Sequence, residues 1–497
     1  MRPTTRIDRT RAGRRLTGTG AVLAIGAVLA LSAPPAQAGP APRGTTSQVV
    51  VGLNGAKPNG PSQSLGISAD GHYALFTSTA DNLVTQPSTV SHVYVRDLRN
   101  GRTERISVLS GGTPMGEFSD EGSISANGRY VAFGSGDRTP VDGHTPIGDN
   151  NIYVRDRLTG RTELITAGDG SLTHTPYTAN SPSISADGRY VAFASTRTDL
   201  VVANRPASLN QHPLGVDEIY VTDRRTGTTQ LASVAPDGSW SGGTNPTISA
   251  DGRTIGFSST AADLVPDGQP VSGEAAAPRA SRERSGPGAG PGLAVPRLAG
   301  YYVRDLATGT TRVAATDPAG APARAARDAV ISPDGRTALY SLSTSSEPRR
   351  TVNHLELYAR DLRTGAVKLV STPLPGTTTI GSSDHGRITA DNRWVYFTSS
   401  ADNLVTGPQQ PFLGPDVYRH DLRTGRTERV AGTPDGSPGN GTSFDPFVDA
   451  HGDTAVFGST SGDLVAGAEG PEDLSQVFAR TTGHARDDDG QGENQDH

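Results

Sequence analysis

The sequence predicts an all-β ring, a β-propeller of four-stranded antiparallel blades. Three observations predict it: a repeated phrase, a second phrase in step with it, and two chain ends that complement each other. The first phrase reads Ile-Ser-Ala-Asp-Gly-Arg-Tyr-Val-Ala-Phe in its best copy, Ile184 to Phe193. With the other copies at Ile67, Ile124, Ile248, Ile331, Ile388 and Val448, successive starts lie 57, 60, 64, 83, 57 and 60 residues apart. The second phrase, Tyr-Val-Arg-Asp-Leu-x-Thr-Gly in consensus, is anchored at Tyr94, Tyr153, Tyr220, Tyr302, Tyr358, Tyr418 and Phe478. Such a period marks an array of supersecondary units, none of which can bury its apolar surface alone. Seven copies set the blade count at seven, with six and eight as the neighbouring alternatives.

Within a unit, Ser-Ile-Ser is a first short strand and Ala-Asp-Gly the tight turn after it, with Gly supplying a positive φ. Tyr-Val-Ala-Phe-Ala-Ser is the second strand. A loop of variable length leads to a third, such as Ile219 to Asp223, and Arg-Thr-Gly turns the chain into a fourth. Nothing in these runs has helical periodicity. Second strands carry Phe76, Phe133, Phe193, Phe257, Tyr340, Phe397 and Phe457, and third strands carry the seven anchors. Together these account for fourteen of the 26 aromatic residues, so few remain for a stacking platform.

The chain ends predict how the ring closes. The seventh unit stops at Val477 to Arg480 without a fourth strand, whereas Gln48-Val49-Val50-Val51 stands before the first unit as an orphan. Pairing the two completes the last blade and leaves no open edge. Around this single domain, residues 47–480, the reading places a short linker at 39–46, a disordered Pro/Gly/Ala/Arg-rich insert at 266–300 in blade four, and an acidic disordered tail at 481–497.

Residues 1–38 read as an export signal. Six arginines and one aspartate in the first fifteen residues precede the apolar run Ala21 to Leu31 and a small-residue cleavage site at Ala36-Gln37-Ala38. The sequence leaves Sec and twin-arginine export as alternatives. Loss of this segment changes the formal charge from −6 to −11. An acidic chain without a basic cluster has no source for the counterion-release term of nucleic-acid binding. The absence of cysteine leaves stability to the core alone. The expectation is a secreted monomer without a membrane span in its mature form.

The two phrases resemble the TolB-like, or PD40 (WD40-like), propeller repeat, with its Ser-x-Asp-Gly-Arg turn and Tyr-x-x-Asp-Leu-x-x-Gly hairpin. The resemblance spans Ser47 to Arg480 and implies a propeller fold. TolB itself has an α/β domain before six blades. Here eight residues separate the signal from the orphan strand, so the Pal-binding role is not carried over.

Enzyme motifs fail at named residues. No Gly-x-Ser-x-Gly, His-x-His or His-Glu-x-x-His occurs among the residues, and the 11 histidines are scattered. The Asp361 to Gly365 hairpin superficially resembles pyrroloquinoline-quinone propellers, but those need a Trp per blade and this chain has only Trp240 and Trp394. The recurring Asp97, Asp156, Asp223, Asp305, Asp361 and Asp421 are expected to hold turns by accepting backbone N–H bonds. Arg96, Arg155, Arg304 and Arg360 are expected to lie between blades and pair with a turn aspartate. Ala-Asp-Asn-Leu-Val, at Ala80 and Ala401, reads as a loop staple. No catalytic residue and no metal ligand is assigned.

The candidate site follows from the architecture. Loops entering the innermost strands cross the channel mouth, so residues three or four before each strand's Ile face the axis. That register selects Gln63, Asp120, Glu121, Asn180, Asn245, Asp328, Asp384, His385 and Asp445, with Phe118, Tyr177, Trp240 and Phe444 slightly upstream. Carboxylates and amides beside aromatic faces suit a hard cation such as calcium, a glycan or a cationic peptide group. The first reading of function is a non-enzymatic binding module for an extracellular or cell-envelope protein, glycan or peptide. The alternatives are a metal-assisted lyase or hydrolase in the channel, and a structural cell-envelope partner.

Overall fold

Each copy of the first phrase folds into an innermost strand, a tight turn and a second strand, and each copy of the second phrase into a third strand. The computed structural model describes residues 44–172, 177–200, 215–261, 263–265, 300–323, 325–343, 354–378, 381–408, 414–465 and 474–482. Within them lie seven four-stranded antiparallel sheets, the seven blades of a propeller. The expected signal at 1–38, insert residues 266–299 and tail residues 483–497 fall outside the described residues. Gly300 already opens the third strand of blade four, and Thr481 ends the last strand of blade seven.

The anchors pack as the phrases predict. In every blade the second-strand and third-strand aromatics stand directly opposite, from Phe76 and Tyr94 to Phe457 and Phe478. Their ring centroids lie 5.5 Å apart in blade one and 6.2 Å in blade seven, and the rings are buried. Cross-strand aromatic pairs of this kind add stacking to the area they bury.

Blades are tied at the turn. The backbone N–H of Ala126 donates to Ala186 O (3.0 Å), that of Ala186 to Ala250 O (3.0 Å), and that of Ala450 to Ala69 O across the seam between blades seven and one (3.0 Å). The turn glycine has two reasons to be glycine. Gly188 has φ +74°, and a Cβ there would stand 2.2 Å from Tyr130 of the neighbouring blade.

Closure occurs with one shift. The closing strand is Thr46–Gln48, paired with Gln476–Thr481, and not the valine run. Val49 donates a last bond to Val477 O (2.9 Å). Val49 and Val50, both fully buried, then leave the edge and fill the seam with Ile67, Phe76, Tyr94 and Val477. The polar residues make the ladder and the apolar ones make the core.

The turn aspartates do what was expected, but with different arginines. Asp156 accepts the Leu158 N–H (3.0 Å), and Asp361 accepts the N–H of Arg363 (2.8 Å). Three of the turn aspartates form ion pairs with the Arg that ends the turn between the first and second strands, Arg129 with Asp156 (2.8 Å), Arg189 with Asp223 (2.6 Å) and Arg393 with Asp421 (3.0 Å), and Asp97 pairs with Arg99 of its own hairpin (3.1 Å). Hydrogen bonding from Arg129 draws the Asp156 carboxyl down to about 2. Arg155, Arg304 and Arg360 bond instead to hydroxyl and carbonyl oxygens: Thr162 Oγ1 (3.0 Å), Thr311 Oγ1 (2.8 Å) and Val313 O (2.9 Å). The register explains this, because Thr162 stands directly opposite Arg155 and Thr311 opposite Arg304.

Candidate functional site

The seven innermost strands are Ser62–Ile67, Gly122–Ile124, Ala179–Ile184, Thr244–Ile248, Arg327–Ile331, Ser383–Ile388 and Ser443–Val448. All seven contribute to one cavity of about 600 Å³, the channel. Of the residues selected by register, Glu121, Asn245, Asp328 and His385 line it.

A backbone device sets this rim. In blades three to seven the ladder slips by one residue between the fourth and first positions before the Ile, or before Val448 in blade seven, giving a β-bulge. Its first residue is left-handed: Ser181 (φ 53°), Asn245 (52°), Asp328 (48°), His385 (51°) and Asp445 (49°). Asn, Asp and His tolerate that conformation best among residues with a side chain. The recurrence of polar residues at the mouth therefore has a conformational cause. In blade three the lining residue is Ser181, while Asn180, one position earlier, turns to Asp217 and helps to hold its carboxylate.

What the backbone does not explain is the convergence on blades five to seven. His385 Nδ1 lies 2.9 Å from Asp384 Oδ1, and its Nε2 lies 3.4 Å from Asp445 Oδ1 and 3.9 Å from Asp328 Oδ1. Gln63 of blade one reaches the same Asp445, at 3.3 Å. The hydrogen bond that His385 donates to Asp384 and the charges of Asp328 and Asp445 raise the His385 pKa against its partial burial. Ligand atoms of Asp328, Asp384 and His385 all fall within 4.8 Å of one another, a spacing able to hold a metal ion. Two carboxylates and one imidazole form a mixed oxygen and nitrogen set, which suits Mn²⁺ or Zn²⁺ better than calcium.

Two further features escaped the sequence reading. Arg387, half-buried, lines the channel two residues below His385, its guanidinium 4.7 Å over the Phe447 ring. Strand alternation from His385 is the signal that finds it. Across the mouth, Glu121 accepts the Ser181 N–H and is raised in pKa by burial, with Asp120 and Asp217 adding repulsion. The four aromatics lie off the channel lining. Phe118 is 44% exposed, Tyr177 is half-buried, Trp240 packs against the blade core, and Phe444 packs against Gly458 opposite it.

No family model matches the chain, and no curated protein does. Among solved structures the chain is similar to oligogalacturonate lyase from Vibrio parahaemolyticus, at 12% identity and a TM-score of 0.49, over 89% of this chain and 97% of that one. It is similar to TolB from Acinetobacter baumannii at 14% identity and a TM-score of 0.35, covering 84% and 81%. A third similar structure is the β-propeller domain of the Trilobed protease from Pyrococcus furiosus, at 12% identity and a TM-score of 0.45, covering 85% and 96%. The likeness is one of fold: the chain is a propeller, as the TolB-like resemblance of its repeats implied, and its seven sheets match the seven repeat copies. Among the described residues no helix is long and apolar enough to cross a membrane.

Proposed function

We propose that this propeller is an exported binding module that holds a divalent cation at the channel mouth and takes a glycan or peptide ligand there. The observation that carries the reading is the grouping of Asp328, Asp384 and His385 within 4.8 Å, with Asp445 alongside. A cation there would offset three carboxylates and leave coordination positions open toward the channel for ligand oxygens. Glu121, Ser181 and Asn245 complete the polar rim from the other blades.

The test is thermal unfolding of the mature protein with Mn²⁺, Zn²⁺ or Ca²⁺, in the parent and in Asp328→Asn, Asp384→Asn, Asp445→Asn. Asparagine removes the charge and still tolerates the left-handed backbone at 328 and 445. Selective binding at a hundred times Kd adds about 2.7 kcal/mol. The parent Tm should therefore rise by a few degrees with Mn²⁺ or Zn²⁺ and that of the variant should not. Equal behaviour of the two proteins would refute the site.

One observation favours a second reading, a metal-assisted lyase or hydrolase. Arg387 places a cation in the channel below the cluster, where it would meet an anionic substrate group. Metal-dependent turnover of charged glycans, lost in Arg387→Gln, would select it. Ligand retention without turnover selects the binding module.

A further inference from the structure

Arg-Thr-Glu-Arg occurs at Arg102 to Arg105 and again at Arg426 to Arg429, each preceded by a copy of Ala-Asp-Asn-Leu-Val. The fold brings each pair together, loop against outer edge strand, beside equivalent grooves of blades one and six. In blade six, Arg429 lies 5.8 Å over the Tyr418 ring, and its Nε is 3.0 Å from Asp416 Oδ2. In blade one, Arg105 takes the same pose, 5.7 Å over Tyr94. The counterion does not recur. Asp416 opens the third strand of blade six, and in blade one that position belongs to His92.

His92 cannot replace the aspartate. Its ring nitrogens are committed to Ser107 Oγ and Ser88 Oγ, each at 2.8 Å. Burial, then Arg105, lower its pKa to about 4, so it is neutral at physiological pH. Arg105 is 7% exposed, and its Nε and Nη1 have no hydrogen-bond acceptor among the described residues, while Nη2 donates to Gln86 O. No carboxylate forms an ion pair with it there. A second guanidinium adjoins it. Tyr94 stands opposite Arg105 and Arg96 opposite Thr103, so Arg96 is the diagonal neighbour of Arg105 on one face. In blade six the Arg96 position is His420. Glu104, on the other face of the edge strand, is committed to Arg157 at 3.1 Å. The groove, of about 830 Å³, is lined by four arginines, Arg96, Arg102, Arg105 and Arg155, against the one carboxylate of Glu104; Arg96 donates to Thr103 Oγ1 (2.9 Å), and neither it nor Arg105 has a carboxylate partner among the described residues.

We propose that the blade-one groove is an oxyanion-binding site, in which Arg105, with Arg96 beside it, takes a phosphate, sulfate or carboxylate group of a ligand lying across the outer edge of the propeller. Gln86, on an exposed loop, gives up its place as acceptor when the oxyanion enters. A desolvated guanidinium with unused N–H groups forms its strongest bonds to such groups.

The test holds ionic strength constant and replaces chloride by inorganic phosphate, sulfate or glucuronate while Tm is recorded. The parent should rise by a few degrees with at least one of the three, and which one identifies the oxyanion. His92→Asp rebuilds the counterion seen in blade six and should lose that rise. His92→Asn, neutral like the parent, should keep it. Sulfate and phosphate also stabilise proteins by exclusion from their surfaces, and the contrast between the two variants removes that contribution. No rise in the parent, or an equal rise in His92→Asp, overturns the site. The channel variant with three asparagines should keep the full anion response, so failure here is separable from failure of the cation site.

Discussion

The channel mouth at blades five to seven and the outer edge of blade one break the charge balance of the repeat in opposite senses. At the mouth, three carboxylates meet around His385, because bulge residues of neighbouring blades all point to one spot. At the edge, two arginines meet without a carboxylate partner, because the position that gives Arg429 its Asp416 in blade six is filled by His92 in blade one. Other blades pair such charges, as in Arg129 with Asp156 or Arg189 with Asp223. A repeat protein therefore contains its own control. A position filled the same way in every blade serves the blade, and a blade that departs from its siblings marks where a ligand is to be sought.

Both sites depend on the closed ring, so the most damaging change should remove both responses together. Deleting residues 39–52 takes away the strand Thr46–Gln48 and the buried Val49 and Val50. The two valines alone bring about 3–6 kcal/mol of burial, and the exposed edge at Gln476–Thr481 invites aggregation. Scanning calorimetry and gel filtration should show a much lower Tm and higher-order species. Melting with the parent would place closure elsewhere.

A second break is acid. Burial lowers both His92 and His420 to about 4 from 6.5, so the folded state resists their protonation while the unfolded chain does not. Their stability contribution is intact above pH 6.5 and falls as pH drops from 6.5 toward 4, by on the order of 3 kcal/mol each. His92→Asn should remove about half of this fall in pH-dependent denaturant melts and leave the His420 half, as Asn151 fills the same position in blade two. An unchanged limb would show that His92 is not the residue resisting the proton. Smaller still, and sharper, is the crossed pair of variants. The asparagine triple variant should lose only the cation response and His92→Asp only the anion response, each read as a Tm shift of a few degrees.

The blades were legible in the sequence because aromatics and turn glycines recur at fixed offsets, and local chemistry dictates both. The closing strand was legible too, but displaced toward Val49 and Val50, since apolar character signals burial and not which residues pair. At the mouth, counting back from the Ile found Asp328, His385 and Asp445. It selected Asn180 where Ser181 lines the channel, because the bulge inserts a residue that alternation does not anticipate. The meeting of Asp328, His385 and Asp445 joins three blades and leaves no local trace. Neither does the difference between Asp416 and His92, which acquires meaning only once Arg105 is seen over Tyr94.

The central claim is that blades five to seven assemble a cation site at the channel mouth. Titration calorimetry of the metal-free mature protein with Mn²⁺ tests it most directly, beside His385→Asn and the triple asparagine variant. The account predicts one ion bound per chain in the parent, binding weakened at least tenfold in His385→Asn, and none in the triple variant. Saturable binding of equal strength in all three proteins, or no binding by the parent to Mn²⁺ or Zn²⁺, would contradict it.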